Sequence, residues 1–512
     1  MFASVYSAAV INIDGVIVSV ETDVSNGLPS FDMVGFLTSE VREARERVRT
    51  AIRNSGFEVP ICRMTVNLAP ADIRKSGNGF DLPIAISILT ASGIIPPYHL
   101  KDFMFIGELG LDGLIKQVNG TLSLVCTAKE AGITKCIVPF ANGKEASIIN
   151  DISVYPFKTL KEVVSFLRNP ALYKPIAYTD PDDILYQSMK NYNMDFSEVN
   201  GQIAIKRATL IAAAAMHNIL YIGPPGSGKT MIAKRIPTIL PRLTKKESIK
   251  LTKIYSICGL LPKELGLITN RPFRGTHHTI SATALIGGGK HPLPGEVSLA
   301  GHGILFLDEL PEFQRSTLEV LRQPLEDRQV VISRVSGTYT YPTEFMLVCA
   351  MNPCKCGFYP DRSFCHCSQA EVRRYLDHIS QPFLDRMDIC IETPRIPFQD
   401  FIENRKNETS QSMRIKVENA MKIQRERYKN EAILFNSQLT GEKVKMYCQL
   451  GKNERAFMKD IFENLGLSAR AYYKILKVAR TIADVEGAIN ISEAHISEAI
   501  SYRSLDKKIW GR

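Results

Sequence analysis

The chain has 512 residues, 45% of them hydrophobic and 23% charged, a composition of ordinary globular domains that excludes a disordered or fibrous protein. It carries 63 Lys and Arg against 53 Asp and Glu, and the excess is one-sided: residues 1–180 hold 17 basic and 18 acidic side chains, residues 181–512 hold 46 and 35. No apolar run reaches the ~18 residues that cross a bilayer, and no basic leader opens the sequence, so a cytoplasmic protein with no membrane segment is expected.

Residues 1–170 alternate β-type runs (Val16–Val20, Met64–Leu68, Phe103–Ile106, Lys135–Val138) with helical stretches. The clearest helix covers Ser39–Ser55, where Val41, Ala44, Val48, Ala51 and Ile52 recur at helical spacing. A polar, Pro-bearing stretch predicts a linker at 171–189. Strands and helices alternate again over 190–398, which predicts an α/β domain with a parallel sheet and helices on both faces. Over 399–512 the pattern is helical throughout, with Ile475, Leu476, Val478, Ala479 and Ile482 on one face. The basic excess of this second part suits a polyanion such as nucleic acid; a basic surface without a partner is the plainer alternative.

The segment Gly223-Pro224-Pro225-Gly226-Ser227-Gly228-Lys229-Thr230 is a complete G-x-x-x-x-G-K-[ST] phosphate loop, between an apolar run and a helical one. Its glycines let backbone N–H groups curl around phosphate oxygens at a helix N-terminus. Lys229 supplies a charge to the β/γ-phosphates, and the Thr230 hydroxyl suits Mg²⁺. The apolar run Ile304–Leu307 then ends in Asp308-Glu309: Asp308 is the candidate metal carboxylate and Glu309 the candidate base for the attacking water. A further run, Phe345–Ala350, leads to Asn352, a candidate for the γ-phosphate or the water, or else a turn residue before Pro353.

Eleven cysteines, four of them in Cys354-x-Cys356 and Cys365-x-Cys367, point to a reducing compartment and a structural Zn²⁺ site. His366 is an alternative ligand to one of the four. The pair His277-His278 reads as hydrogen-bonding residues before metal ligands.

These motifs, with Val66-Asn67-Leu68-Ala69-Pro70-Ala71-Asp72, Gly79-Phe80-Asp81-Leu82-Pro83, Gly275-Thr276-His277-His278 and Met351-Asn352-Pro353-Cys354, resemble the magnesium-chelatase-like AAA+ ATPases of the ComM/YifB family over essentially the whole chain. The resemblance makes Asn352 the sensor-1 residue, Arg386 an arginine finger reaching a neighbouring subunit, and Arg470 the sensor-2 arginine of a C-terminal helical lid; surface ion pairing is the alternative for both arginines. It implies a homo-oligomeric ring, a hexamer, with Lys290 and Arg334 on elements facing its pore. It also implies DNA as partner and branch migration of incoming DNA as activity. A chelatase motor, an ATP-dependent protease and a protein-remodelling ATPase are the alternatives. The first 170 residues resemble the Lon-protease-type fold of the ribosomal S5 domain-2 kind, but Asp81 stands at the serine position of its Ser–Lys dyad and Thr121-Leu122 near the lysine position, so a non-proteolytic domain is expected.

Overall fold

The strands Phe2–Ile11 and Asp14–Ser25 alternate buried and outward residues and pair antiparallel through a tight turn at Asn12, whose φ of 58° is left-handed. In the computed structural model, which describes residues 1–98, 100–188, 193–262, 264–289, 292–334, 337–395 and 407–503, this hairpin is the middle of a seven-stranded sheet. In sheet order the strands are Ser30–Val34, Arg63–Ala69, Asp14–Ser25, Phe2–Ile11, Phe103–Phe105, Lys135–Pro139 and Ser153–Phe157. The helix Asp81–Ala91 has every residue buried, because it lies between this sheet and the helix Ser39–Asn54. The latter buries Val41, Ala44, Val48, Ala51 and Ile52, the stripe its spacing predicts, and turns its Arg and Glu residues outward except for Arg47, which reaches buried Asp81.

By its contacts the chain divides into two units, the first formed by Met1–Ser188 together with Thr244–Thr269 and residues 337–339. The helix Lys245–Ile257 of that second segment packs on Thr121–Glu130, and its Ser256 hydroxyl accepts from the Gly120 N–H at 2.9 Å and donates to buried Glu145. Nothing in the amphipathic pattern of this helix tells which unit it serves. The stretch read as a linker is bound along the same unit: Ile176 N–H donates to Val154 O at 2.9 Å, and Asp180, the cap of a short helix Pro181–Gln187, pairs with Lys245 at 2.9 Å.

The second unit is built on five parallel strands in the order Phe273–Thr276, Ile304–Leu307, Met346–Met351, Ile219–Ile222, Ile389–Glu392. Strand alternation divides its core in two. Ile219, Tyr221, Ile304, Phe306, Met346, Val348 and Ala350 face one cluster; Leu220, Ile222, Leu305, Leu307, Leu347, Cys349 and Met351 face the other. The first cluster also receives the helices Ile203–Ala215, Ser410–Arg427, Ala469–Val485 and Glu493–Ser501, so the C-terminal helical region shares the core of the sheet. Fully buried Tyr221 bonds its hydroxyl to Thr209 Oγ1 at 2.8 Å, which offsets the cost of burying a phenol.

The same interface holds a buried polar network. His217 Nδ1 lies 3.2 Å from Asp388 Oδ2, its Nε2 lies 2.9 Å from Thr481 Oγ1, and Lys474 sits 3.8 Å from Asp388 Oδ1. Burial by itself would raise the Asp388 carboxyl; the hydrogen bond with His217 and the charges of Lys474 and Lys477 outweigh it and hold the group below the usual carboxylate range. Removing one member of such a network leaves buried groups unpaired, so Asp388→Asn should cost about 3 kcal/mol at neutral pH, read from urea unfolding of the full chain. Because the native pKa lies below the unfolded value of about 3.9, this contribution is present above about pH 4 and lost as pH falls further. The difference between wild type and variant should therefore shrink in acid.

Candidate active site

Parallel strands place their carboxyl ends on one edge of the sheet, and three neighbouring ends there carry the sequence motifs. Ile219–Ile222 leads into Gly223–Thr230, Ile304–Leu307 into Asp308-Glu309, and Met346–Met351 into Asn352. The loop demands its glycines for separate reasons. Gly226 and Gly228 have φ of 76° and 82°, where an L side chain is strained. A Cβ on Gly223 would lie 2.0 Å from Thr393 Oγ1 and 2.2 Å from its carbonyl oxygen. The helix Lys229–Ile239 starts directly at the loop and presents its unpaired N–H groups to it.

The side chains converge. Thr230 Oγ1 donates to Asp308 Oδ2 at 2.7 Å, setting a hydroxyl and a carboxylate side by side as hard oxygen donors. The Lys229 ammonium donates to Gly223 O at 2.7 Å, to Pro224 O at 2.8 Å and to Asn352 Oδ1 at 3.2 Å. Burial pushes its pKa down to about 8, with the Asp308 charge opposing the shift. Glu309 follows Asp308 with φ of 53°, a left-handed conformation costing a non-glycine residue roughly 1–2 kcal/mol. Its side chain is 63% exposed, and its Oε2 lies 3.6 Å from His278 Nδ1.

Neither candidate arginine touches this group. Arg386 is 7% exposed, ion-paired with Glu326 and bonded to Pro382 O, while its Nε has no partner among the described residues. Arg470 is exposed in the first turn of Ala469–Val485, with Asp385 at 3.9 Å. Lys290 lies outside the described residues. Arg334 is exposed at the end of the strand Gln329–Arg334.

The sulfur atoms of Cys354, Cys356, Cys365 and Cys367 all lie within 4.8 Å of one another, and none of the four is in a disulfide. Separations of 3.3 Å (354 to 356), 3.6 Å (356 to 365) and 3.8 Å (354 to 365) come near the spacing of about 3.8 Å that a tetrahedral Zn–S₄ centre requires. The donor set fits zinc. His366 is exposed and stands outside the group. The cysteine loop also lies against the phosphate loop: a Cβ on Gly357, whose φ is 90°, would lie 2.5 Å from Pro225 Cδ.

Two contacts to the loop carry no sequence signal. Gln202 Nε2 donates to Ser227 O at 2.6 Å, and Thr393 Oγ1 meets Ser227 Oγ at 3.1 Å besides filling the space beside Gly223. The glycine at 223 signals a close neighbour but not its identity. In the first unit, Asp81 is buried and bonded through both carboxylate oxygens to Arg47 at 2.9 and 3.0 Å, and it accepts the Leu109 N–H at 3.2 Å. Thr121 donates its hydroxyl to Val118 O at 2.9 Å.

Comparison with known families and proteins agrees with this architecture. Residues 195–401 match the family described as magnesium chelatase, subunit ChlI; residues 20–142 match subunit ChlI of Mg-chelatase, and residues 407–503 match the C-terminal part of subunit ChlI. The chain is 42% identical to competence protein ComM of Haemophilus influenzae, covering 98% of this chain and 97% of the relative. It is 40% identical to the uncharacterised protein YifB of Salmonella typhimurium, covering 99% and 97%. Lon protease 2 of Bacillus subtilis is 30% identical over 128 residues, 24% of this chain and 22% of that protein. With a parallel-sheet phosphate-loop core, a Lon-like first unit and relatives matched from end to end, the chain belongs to the magnesium-chelatase-like ComM/YifB family of AAA+ proteins.

Proposed function

We propose that the protein is a ring-forming ATPase that couples ATP hydrolysis to movement along DNA, with branch migration of incoming DNA as its task. The observation that carries the hydrolytic part is the convergence of Thr230, Asp308, Lys229 and Asn352 at one sheet edge, with Thr230 Oγ1 and Asp308 Oδ2 only 2.7 Å apart. In this reading the backbone N–H groups of Gly223–Thr230 cradle the phosphates, and Lys229 leaves its carbonyl partners to meet their charge. Thr230 and Asp308 hold Mg²⁺, which when bound neutralises charge on the phosphate oxygens. Glu309 accepts a proton from the attacking water, and Asn352 orients the γ-phosphate. Arg386 acts on the ATP of the next subunit once freed from Glu326, and Arg470 acts from the C-terminal helices. Such a division of labour needs a closed ring, of which six subunits is the expected number.

The DNA part is supported by the similarity to a competence protein and by the basic excess confined to residues 181–512. Arg334, and Lys290 with it, are the residues proposed to follow a phosphate backbone. The four cysteines hold one structural zinc: four protein ligands leave no open position for a reacting water.

Glu309→Gln should bind ATP but hydrolyse it about 10²–10⁴-fold more slowly, because an amide cannot accept the proton. Lys229→Ala should weaken ATP binding itself. Hydrolysis at the wild-type rate by Glu309→Gln, in a steady-state phosphate-release assay, would overturn the assignment. Single-stranded and branched DNA should stimulate ATP turnover, and affinity should fall with salt at a log–log slope of about −0.7 per phosphate contact on single strands. A wild-type protein that neither binds DNA at low salt nor responds to it would instead be a protein-remodelling or chelatase-type motor. Metal analysis of reduced protein prepared without chelator should return one zinc per chain, and Cys354→Ser should lower both that content and the melting temperature. A wild-type value well below one removes the zinc assignment.

A further inference from the structure

The helix Lys452–Leu465 is charged along most of its length, yet its charges are sorted. Arg455, Met458, Lys459 and Phe462 follow one another at helical spacing and share one stripe, while Glu454, Asp460 and Glu463 fall beside it. A left-handed turn at Gly466 brings the next helix, Ala469–Val485, back against that stripe, with Ala469, Tyr472 and Tyr473 on its facing side. The two stripes do not close on one another. Between them, with Leu450 from the preceding segment, lies a cavity of about 450 Å³, inside the ~300–1,000 Å³ range of ligand clefts.

The lining is apolar inside and cationic at the rim. Leu450 and Met458 are buried, whereas Arg455 and Lys459 are exposed, and no carboxylate is among the described residues that line the space. Both cations are available. Arg455 has no ion pair among the described residues, and Lys459 meets Glu463 only at 3.9 Å between exposed side chains, a surface pair that contributes little. The aromatic walls decide what kind of guest fits. Phe462 meets Tyr472 edge-on, with centroids 6.0 Å apart and planes at 85°, and Tyr472 meets Tyr473 at 5.5 Å and 69°. Rings crossed in this way enclose a space instead of forming a platform on which a nucleobase stacks. A base would also bring polar edges to a lining whose only neutral polar side-chain groups are two phenol hydroxyls. A bulky apolar side chain has no such edges to satisfy.

We propose that this cavity docks an acidic peptide segment of a partner protein, seating one aromatic or bulky aliphatic side chain beside Met458 and the crossed rings while neighbouring carboxylates meet Arg455 and Lys459. The apolar interior specifies the anchor, and a rim with two positive charges and no negative one specifies the acidic sequence around it. The Arg455 guanidinium can take a carboxylate through two N–H donors at once. No lining residue belongs to the ATP site or to the residues proposed to follow DNA, so the docking site and those two readings hold or fail separately.

The test is fluorescence anisotropy of a fluorescein-labelled synthetic peptide, Glu-Asp-Glu-Phe-Glu-Asp, titrated with the full-length protein at low salt. Binding should saturate, and a peptide with Ser in place of Phe should bind about tenfold more weakly, the scale of losing a buried anchor. That comparison uses wild-type protein and needs no variant to fold. Arg455→Glu combined with Lys459→Glu should weaken the Phe peptide by about tenfold or more, since like charges then face each other. Ala469→Phe fills the cavity without changing charge and should weaken it to a similar extent. All three positions are exposed, so melting temperatures should stay close to that of wild type. Absence of saturable binding by wild type overturns the proposal. So does equal binding of the Ser peptide, which would be attraction to a basic surface alone, or undiminished binding by Ala469→Phe. If a single-stranded oligodeoxythymidylate displaces the peptide and itself loses affinity in Ala469→Phe, the cavity is a DNA contact and the peptide reading falls. It falls equally if, without peptide, Ala469→Phe sediments as a smaller assembly than wild type, because a second copy of the chain then fills the space.

Discussion

Every feature of the candidate site depends on five strands running in the same direction. Parallel pairing sends the chain after Ile222, Leu307 and Met351 out of the same sheet edge, and the strand order makes those three exits neighbours. Residues more than a hundred positions apart, such as Lys229 and Asn352, then meet at 3.2 Å. The register is pinned by alternation. A slip of one residue would exchange Tyr221 with Ile222 between the two cores and pull the Tyr221 hydroxyl away from Thr209, so the packing that stabilises the sheet also aligns the loops.

Apolar burial does not by itself specify how the C-terminal helices sit on that sheet. Asp388, at the entry to the edge strand, is bonded to His217 beyond the helix Ile203–Ala215, and the Thr481 hydroxyl completes the set from the helix Ala469–Val485. Charged and polar groups tolerate few alternative partners once buried, which makes such a network directional where a hydrophobic contact is not. The helix so anchored is buried from Ile475 to Asp484, apart from half-buried Lys477, and exposed at its first turn, where Arg470 stands.

The loop after the third strand is stiffened differently. Asn352 is followed at once by Pro353 and Cys354, and the chain folds back so that its four thiols converge, with Cys354 and Cys365 buried in the second core cluster. Its Gly357 abuts Pro225, so a constraint in the cysteine loop bears directly on the phosphate loop. The two motifs look independent in the sequence and are in contact in the fold.

The α/β class of both units, the helical C-terminal region, the Ser39–Asn54 stripe and the phosphate-loop, Asp308-Glu309 and four-cysteine motifs were all legible in the sequence, because each is encoded by local periodicity or by spacing within a short segment. The partners were not. That Lys245–Ile257 joins the first unit, that Gln202 and Thr393 line the loop, that Arg386 is held by Glu326, and that His278 faces Glu309 are outcomes of packing between segments far apart in the chain. An amphipathic helix advertises that it has a buried face but not what covers it, and a glycine such as Gly223 reports that space is short without naming the intruder. Local chemistry is written in neighbouring residues; which surfaces meet is decided only when the competing burials of the whole chain are settled together.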